Sequence, residues 1–393
     1  MRVLQVHNRY RKPGGEDTVV ANEARLLREH GHEVQLLEAH NDEQDPTALL
    51  QKLVLARDMV WSSAGMATMD EAIRRFSPEV VHVHNTFSKL SPTVLRAASA
   101  RGAAVVQTMH NFRLVCANGL LLRNGVPCEL CLDKGRTQAV RHACYRGNRL
   151  ASAAVVCVGA LHLRLGTYRA PGLRVVALTE FARGLFLRAG IEPRVLRVKP
   201  NFVYPAATPT PALQRERRVV FVGRLTEEKG VDLIISAWRQ AAPAGWKLQL
   251  IGDGNLRQAA QAAGSSVEVL GWLPPEQVLA KVAAARFLVM ASRWYEGMPM
   301  VLLEAFSTAT PTIVPRLGSM AELVADGDNG FHFPAGDAAA LALVLTKALA
   351  LENSAWQLQS AAALTAHRTR FSPEANYRDL MAIYSEAMAE AAA

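Results

Sequence analysis

Two consecutive α/β domains, each a parallel sheet covered by helices on both faces, are the architecture that this sequence predicts. Short β-branched runs alternate with helix-like segments through both halves of the chain, and such alternation is typical of doubly wound parallel sheets. The length of 393 residues suffices for two domains, since a domain commonly holds about 100–200 residues. Half of the residues are apolar and 20% are charged, which excludes a disordered, collagen-like or disulfide-dominated chain.

The first series of elements occupies residues 1–200. Ser91 and Pro92 are typical of a helix start, an N-cap followed by proline at the first helical position. Gly31 and Gly102 follow apolar-periodic segments, where a left-handed residue commonly ends a helix. Six strands are expected: Val3–His7, Glu33–Leu37, Val80–His84, Ala104–Thr108, Val175–Leu178 and Val195–Val198.

A proline-rich segment, Lys199–Arg217, is interpreted as a linker, because repeated proline disfavours helices and central strands. A second domain is expected at residues 215–373, and a last helix at about residues 374–390, after the break Phe371-Ser372-Pro373. Ligands of open parallel sheets bind at the carboxyl ends of strands, so a cleft between the two domains is the expected site. The second series has six expected strands and two clear helices: Val219–Val222, Leu248–Ile251, Val267–Leu270, Phe287–Met290, Thr312–Val314 and Gly330–Phe333, with helices Val231–Gln240 and Pro299–Thr308.

The net charge of +9 is concentrated in the first half of the chain. Residues 1–200 hold 28 basic and 17 acidic side chains, a net charge of +11, whereas the remainder holds 16 and 18, a net charge of −2. The stretch 101–200 alone has 16 basic and 4 acidic side chains. This excess favours an anionic partner for the first domain, and a solvated basic surface is the alternative.

A cytosolic location is expected. No apolar run in the sequence reaches the roughly 18–20 residues that cross a bilayer, and Met1–Val6 is typical of a strand rather than of a signal peptide.

The sharpest motif is the nine-residue segment from Glu296 to Glu304, with sequence EGMPMVLLE. Pro299 suits the first turn of a helix, so Glu296 and Gly297 are expected just before that helix. The free backbone N–H groups of the first turn then form an anion site. Glu304 lies deeper among apolar residues and needs a partner if it is buried; an ordinary salt bridge is the alternative interpretation.

A second motif, Gly223–Gly230, follows the expected strand Val219–Val222 directly. Its glycines permit close backbone approach. Arg224 and Lys229 place two cations at the end of that strand, where they could bind a diphosphate. Glu227 and Glu228 would compete for these cations.

The other motifs indicate a function less specifically when each is taken alone. Gly14 and Gly15 follow the first strand, and His110 follows the fourth, where an imidazole would face the expected cleft, although a lone histidine is more often structural. Neither Gly14-Gly15 nor Gly252-Asp253-Gly254 completes a dinucleotide fingerprint, which disfavours a dehydrogenase. P-loop, nucleophile-elbow and zinc-protease motifs are missing from the sequence.

Four cysteines fall within thirty residues as C-x11-C-x2-C-x12-C: Cys116, Cys128, Cys131 and Cys144. In a cytosolic protein this spacing favours a structural zinc site; an iron–sulfur cluster, reducible disulfides and ordinary free cysteines are the alternatives. Cys157 stands apart in an apolar run and is expected in the core.

Together these motifs resemble the family 4 glycosyltransferases, retaining enzymes of the GT-B fold, in which two Rossmann-like domains face a central cleft. The resemblance extends over nearly the whole chain, including Thr108–His110 and the segment from Gly318 to Asp326-Gly327. It implies that the second domain binds a nucleotide-sugar, UDP- or GDP-linked, and that the last helix crosses back to the first domain.

The resemblance also implies roles for individual residues. Arg224 and Lys229 would contact the diphosphate, Glu304 the ribose, and Glu296 with the backbone of Gly297–Met300 the transferred sugar. His110 would also contact the donor sugar, and Leu270–Leu273 matches the base pocket. The expected catalytic residues are therefore His110, Arg224, Lys229 and Glu296. The expected donor-binding residues are Gly14, Gly15, Gly223, Arg224, Lys229, Gly252, Gly271, Trp272, Leu273, Glu296, Gly297, Met298, Pro299, Met300, Val301, Leu302 and Glu304.

In this interpretation the acceptor hydroxyl attacks from the leaving-group side, and no metal and no protein nucleophile is needed. The acceptor is expected to be a sugar or a lipid-linked sugar, reached at an anionic membrane surface. Two other functions remain open from the sequence: a nucleic-acid-binding module with a four-cysteine metal site, and a sugar-nucleotide epimerase of the same architecture. No nucleic-acid partner is expected, since the basic stretch contains no recognition-helix or RNP-type motif.

Overall fold

The computed structural model describes residues 1–9, 14–41, 48–205 and 215–392. Its chain divides into two compact units. Unit 1 comprises Met1–Leu121, Cys128–Asn201 and Asn376–Ala393, and unit 2 comprises Leu122–Pro127 and Phe202–Ala375.

Both units are built on six-stranded parallel sheets, and all twelve strands expected from the sequence are present to within a few residues. The strands are β1 (Arg2–Arg9), β2 (Glu33–His40), β3 (Val80–Asn85), β4 (Ala104–Met109), β5 (Leu122–Arg123), β6 (Val126–Pro127), β7 (Leu173–Ala177), β8 (Leu196–Val198), β9 (Glu216–Val222), β10 (Lys247–Ile251), β11 (Val267–Gly271), β12 (Ala285–Val289), β13 (Thr312–Pro315) and β14 (Gly330–Phe333).

Helices connect the strands and follow the last of them. They are α1 (Gly15–Glu29), α2 (Leu49–Val60), α3 (Ser63–Phe76), α4 (Thr93–Ala100), α5 (Leu130–Asp133), α6 (Thr137–Arg141), α7 (Arg149–Arg164), α8 (Glu180–Arg188), α9 (Val231–Ala241), α10 (Arg257–Gln261), α11 (Pro275–Ala284), α12 (Met300–Ser307), α13 (Gly318–Leu323), α14 (Ala338–Leu349), α15 (Asn353–Ala366) and α16 (Pro373–Ala391), with a 3₁₀ turn at Thr167–Arg169 and a π-helical turn at His367–Phe371.

The strand orders are those of doubly wound folds. Unit 1 has the order β2-β1-β3-β4-β7-β8, and unit 2 has β11-β10-β9-β12-β13-β14. The sheets pair in parallel throughout. In unit 2 the chain order reverses between β9 and β12, which is the switch point where ligands of such sheets bind.

Helix α16 packs on unit 1, although the chain has passed through unit 2 before reaching it. Its Leu380, Tyr384 and Ala387 share a buried apolar cluster with Val3 of β1 and Val106 of β4. Tyr377 stacks on His30 with ring centroids 3.7 Å apart. The side chains of α16 therefore complete the core of unit 1.

Several local expectations need correction. Helix α4 begins at Thr93, with Pro92 as its N-cap residue, while Ser91 adopts a left-handed φ of 52°. The expected linker begins in buried structure, since Lys199 is almost fully buried in an ion pair. Residues 206–214 of that linker lie outside the described residues. Gly31 and Gly102 have φ of 78° and 73°, as the helix-end interpretation requires.

One segment contradicts the expectation that no run is long and apolar enough for a bilayer. The helical segment Arg149–Arg169 meets that criterion by length and composition, with a mean hydropathy of 1.5 in its 18-residue window. The helices from Ala338 to Ala391 meet it only if a pair bent by 109° counts as one span. The first segment is not obvious in the sequence because Ser152, Gly159 and His162 interrupt its apolar run.

Candidate active site

Most of the candidate residues of unit 2 lie in loops that follow neighbouring strands. The sheet order places the carboxyl ends of β11, β10, β9 and β12 side by side. The N–H of Gly252 donates to the carbonyl of Gly271 at 2.8 Å, and the N–H of Gly223 donates to the carbonyl of Ile251 at 2.9 Å. The motifs that the sequence singled out therefore share one edge of the sheet.

Two glycines of these loops allow one loop to pack on the next. A Cβ atom on Gly252 would lie 1.9 Å from the carbonyl oxygen of Gly223, and one on Gly230 would lie 2.0 Å from that of Ala291. Both glycines have positive φ, 132° and 71°, where other residues are strained. These two glycines therefore allow the backbones of neighbouring loops to pack against each other, and this packing fixes the relative position of the loops.

Glu296 is held by three donors on one carboxylate oxygen. Its Oε1 accepts from Lys229 Nζ at 2.7 Å, from Ser292 Oγ at 2.7 Å and from Trp294 Nε1 at 2.8 Å. The residue is 7% exposed, so these bonds offset its desolvation. The Lys229 ammonium also lies 5.0 Å from the centroid of the Trp294 ring. Sequence reasoning missed Ser292 and Trp294, although both lie just before Glu296 at the end of a buried strand.

Arg224 remains accessible to a ligand. Its side chain is 61% exposed and pairs with Glu228 at 3.1 Å, and an exposed ion pair of this kind contributes at most about 1 kcal/mol. The loop itself is held by Arg293, which bonds Asp232 at 2.9 and 2.6 Å and donates its backbone N–H to the carbonyl of Glu228. The expected competition by a neighbouring glutamate is confirmed for Arg224; Lys229 pairs with Glu296 instead.

Glu304, at the end of the motif, has no partner for its carboxylate among the residues that the structure describes. No hydrogen bond or ion pair to its carboxylate occurs in the part of the chain that the structure describes, so the salt bridge considered from the sequence is not formed there. Burial raises the pKa of this carboxyl. Leaving a partly buried acid without a partner is unfavourable, and a bound hydroxyl donor would relieve that cost.

The start of α12 is open. The helix begins at Met300, with Pro299 as N-cap residue rather than as the first helical residue, and no side chain caps it. Gly297, Met300 and Val301 are partly exposed there, whereas Met298, Pro299 and Leu302 are buried. Free N–H groups at a helix N-terminus favour an anion.

The segment after β11 presents an aromatic surface. Trp272 is 74% exposed, Leu273 is half-buried and Gly271 has a φ of 71°. An exposed indole next to a tight turn can stack on a planar ring, as the base-pocket expectation requires.

The remaining candidates, Gly14, Gly15 and His110, lie in unit 1. Gly14 is the N-cap residue of α1, and its N–H donates to Asp17 Oδ2 at 2.8 Å. A Cβ atom on Gly14 would meet no atom of the described residues within 4 Å. Pro13 lies outside the described residues.

His110 follows β4 and contacts a second histidine. Its Nε2 lies 3.0 Å from Nδ1 of His84. Burial, together with the neighbouring His84, lowers the pKa of His110 well below its ordinary value, and burial with the adjacent His82 lowers the pKa of His84 to about 4. Both imidazoles are therefore neutral at physiological pH and act as hydrogen-bonding groups rather than as cations.

A buried ionic network lies behind this pair. Glu23 bonds His82 Nδ1 at 2.9 Å and Lys199 Nζ at 3.2 Å. Although burial opposes it, the charges of His82 and Lys199 hold the pKa of Glu23 well below its ordinary range. Tyr384 of α16 bonds His82 at 2.8 Å. The signal of this network in the sequence is the alternation of His82 and His84 within an apolar strand, which the motifs considered above do not include.

The four clustered cysteines lie within unit 1. Burial, reinforced by the sulfurs of Cys116, Cys144 and Cys128, raises the pKa of Cys131 to about 11. Cys157, expected in the core, is exposed, because the buried positions of α7 are Ser152, Val155, Gly159 and His162.

Comparison with known families assigns the chain. The model of Glycosyltransferase Family 4 matches residues 13–207, and that of Glycosyl transferases group 1 matches residues 216–350. The chain belongs to the family 4 glycosyltransferases. Glycogen synthases of Alkalilimnicola ehrlichii and Halorhodospira halophila are 29% and 30% identical to this glycosyltransferase over 69% of its length. The matched part is 64% of each of those relatives.

Solved structures establish the GT-B fold of this family 4 member. The lipopolysaccharide outer core galactosyltransferase WaaB aligns over 98% of this chain and 99% of its own, with a TM-score of 0.65 and 18% identity. HepE of Anabaena, solved in complex with UDP and glucose, aligns over 98% and 100%, with a TM-score of 0.64 and 17% identity. The expected two-domain Rossmann-like architecture is confirmed.

Proposed function

We propose that the chain is a retaining glycosyltransferase that moves a sugar from a UDP- or GDP-sugar to an acceptor hydroxyl in polysaccharide or glycolipid biosynthesis. The observation that carries the proposal is Glu304, a partly buried carboxylate without a hydrogen-bond or ion-pair partner among the described residues, eight positions after Glu296, which Lys229 binds. Family 4 membership supports the transfer reaction, and the UDP-glucose complex of HepE supports a nucleotide-sugar donor.

The cations of the site match the charge that the reaction develops. When the sugar–phosphate bond breaks, negative charge grows on the departing diphosphate. Arg224 and Lys229 follow β9, and the open N-terminus of α12 adds backbone donors. Preorganised groups of this kind stabilise a developing anion more than the neutral ground state.

Retention of configuration follows in this proposal without a protein nucleophile. The acceptor hydroxyl attacks from the side of the leaving group, and a phosphate oxygen of the departing diphosphate takes its proton. Glu296 has one carboxylate oxygen engaged by three donors, which suits it to hold a sugar hydroxyl rather than to attack carbon. His110, neutral at physiological pH, acts as a hydrogen-bonding group for the donor sugar.

Catalysis in this proposal needs no divalent metal, because Arg224 and Lys229 supply the positive charge on the diphosphate. Turnover in excess EDTA should equal turnover with added Mg²⁺. Loss of activity in EDTA that Mg²⁺ restores would overturn this part of the proposal.

The decisive experiment screens donors by calorimetry with UDP-, GDP- and ADP-sugars and then follows the anomeric configuration of the product by NMR. One nucleotide family should bind best, and the product should keep the configuration of the donor. An inverted product would overturn retention. Donor consumption or epimerisation without any acceptor would favour a sugar-nucleotide epimerase instead.

We also propose that the acceptor is a lipid-linked sugar, met at an anionic membrane surface on the cytoplasmic side. Leu50, Leu53 and Val54 of α2 are exposed, with Leu50 at 73%, and they recur at the spacing of one helix face together with Arg57. Helix α2 packs against α7, whose Leu150 is 83% exposed. Apolar side chains flanked by arginines are typical of surfaces that lie on anionic lipid.

A further inference from the structure

The segment Cys116–Cys144, here called the cysteine segment, contains little regular structure. Helices α5 and α6 span four and five residues, and strands β5 and β6 span two each. Elements this short bury almost no apolar surface of their own. The segment is held by the buried side chains of Cys116, Ala117, Leu121 and Ala139, and a cross-link among its thiols would add to that stability.

The four thiols of the cysteine segment gather although they are spread over 29 positions. Cys131 interacts electrostatically with the sulfurs of Cys116, Cys128 and Cys144. The ends of the intervening loop are joined, since the N–H of Cys128 donates to the carbonyl of Leu121 at 2.7 Å. Cys131 and Cys144 also pack on one apolar cluster with Ala139 and Val155.

Backbone hydrogen bonds fold the cysteine segment at its two ends. The N–H of Gly119 donates to the carbonyl of Cys116 at 2.9 Å, and the N–H of Cys144 donates to the carbonyl of Ala139 at 3.0 Å. Cys131 lies one helical turn after Cys128, at the start of α5.

The charges near the thiols are also compatible with four thiolates around a bound cation. Four thiolates around a divalent cation carry a net charge of −2, and the partly buried guanidinium of Arg136 interacts favourably with Cys131. Among the described residues, the ligand atoms of Glu23, His82 and His84 lie within 4.8 Å of one another. The four cysteine sulfurs are spaced more widely than that. Cys116 Sγ donates to Asn118 Oδ1 at 2.9 Å, so binding a metal requires this side chain to turn.

We propose that Cys116, Cys128, Cys131 and Cys144 bind one zinc ion, which holds the cysteine segment together and takes no part in sugar transfer. A tetrahedral all-sulfur site is the coordination that zinc adopts in structural sites. Binding deprotonates the four thiols and releases their protons to solvent. The site is independent of the proposed function, because the residues of the nucleotide-sugar site lie elsewhere in the sequence.

Metal analysis of the full chain, purified without chelator, tests the proposal. The wild-type chain should contain about one zinc per chain. Cys128→Ser and Cys131→Ser should lose the zinc and lower the melting temperature. Cys157→Ser is the matched control, an exposed cysteine outside the segment, and it should retain both. A wild-type chain without zinc, iron in its place, or disulfides detected among the four cysteines would overturn the proposal.

A second measurement covers variants that fail to fold. The wild-type chain, stripped with a thiol-competing reagent and a chelator, is titrated with Co²⁺ alone. Tetrahedral thiolate coordination should give visible absorption that saturates near one equivalent and that Zn²⁺ abolishes. The absence of this absorption would overturn the proposal, and transferase activity measured beside it reports separately on the proposed function.

Discussion

At the scale of single residues, Lys229 carries a larger share of the proposed reaction than of the fold. Its Nζ bonds one oxygen of Glu296, but that oxygen keeps Ser292 and Trp294 as donors when the ammonium is removed. Arg224 is tied only by an exposed pair. Both cations should therefore affect turnover more than stability.

Lys229→Met and Arg224→Ala should each lower kcat by about 100-fold or more, as expected for groups that stabilise charge in the transition state. Melting temperatures should change little. Arg217→Ala is the control, because Arg217 lies exposed at the opposite end of β9 and its loss should leave kcat unchanged. Near-wild-type kcat in the Lys229 and Arg224 variants, on folded protein, would remove these residues from the site.

Glu304→Gln should separate ligand binding from stability. A raised carboxyl pKa means that the folded state loses stability as pH rises through the window from the ordinary pKa to the raised one. At neutral pH the neutral glutamine should thus leave the melting temperature equal to or above that of the wild type. Affinity for the nucleoside diphosphate, measured by calorimetry, should fall about tenfold with the loss of the charge-assisted bond to ribose. A lower melting temperature with unchanged affinity would contradict this assignment.

Sequence reasoning reached the residues whose chemistry is unusual for their position. Glu304 in an apolar helix and two cations after a strand are visible in one dimension; in the structure Arg224 is exposed and Lys229 pairs with Glu296. Ser292, Trp294 and Glu23 were missed because a serine, a tryptophan or a helical glutamate is ordinary in sequence. Only their distances to other residues make them members of a site.

At the scale of elements, the buried strand β3 couples protonation to folding. His82 and His84 project from it towards Glu23 of α1, Tyr384 of α16 and His110 after β4. The structure holds His84 and His110 neutral, while unfolding exposes them to water. Acid should therefore favour the unfolded state of unit 1.

Stability should fall as pH drops from about 6.5 to 4, because the unfolded chain takes up a proton on His84 that the folded chain refuses until its pKa of about 4. The shift corresponds to roughly 3 kcal/mol across that window. His110 acts in the same direction, and Glu23 adds its own loss below its ordinary pKa. Calorimetric unfolding of His84→Gln should show a flatter pH dependence, with exposed His40→Gln as control. An unchanged slope in His84→Gln would contradict the prediction.

Strands were easier to predict than helix ends. Buried parallel strands are short β-branched runs bounded by polar residues, so all twelve could be found. Helix α7 was not recognised as long and apolar because serine, glycine and histidine interrupt it, and the exposure of Cys157 depends on which face packs. The start of α4 was predicted one residue too early, at Pro92 instead of Thr93. Capping depends on backbone dihedrals that several residue types can adopt.

At the scale of the whole molecule, charge is divided between the two parts of the chain. Residues 1–200 carry +11 and the remainder carries −2. A family 4 transferase with this division would present its basic part to an anionic surface. Each Lys or Arg near such a surface contributes about 1 kcal/mol and is screened by salt.

The full chain should therefore pellet with vesicles that contain anionic lipid at low salt, and most of it should be released at high salt. Arg146→Glu combined with Arg149→Glu reverses two exposed charges at the start of α7 and should weaken pelleting severalfold. Arg217→Glu reverses an exposed charge in unit 2 and should leave pelleting unchanged. Leu50→Ser with Leu53→Ser should reduce the part of the binding that persists at high salt, since those side chains would enter the interface. Equal pelleting on neutral and anionic vesicles, or none on either, would contradict the electrostatic account and favour a soluble acceptor.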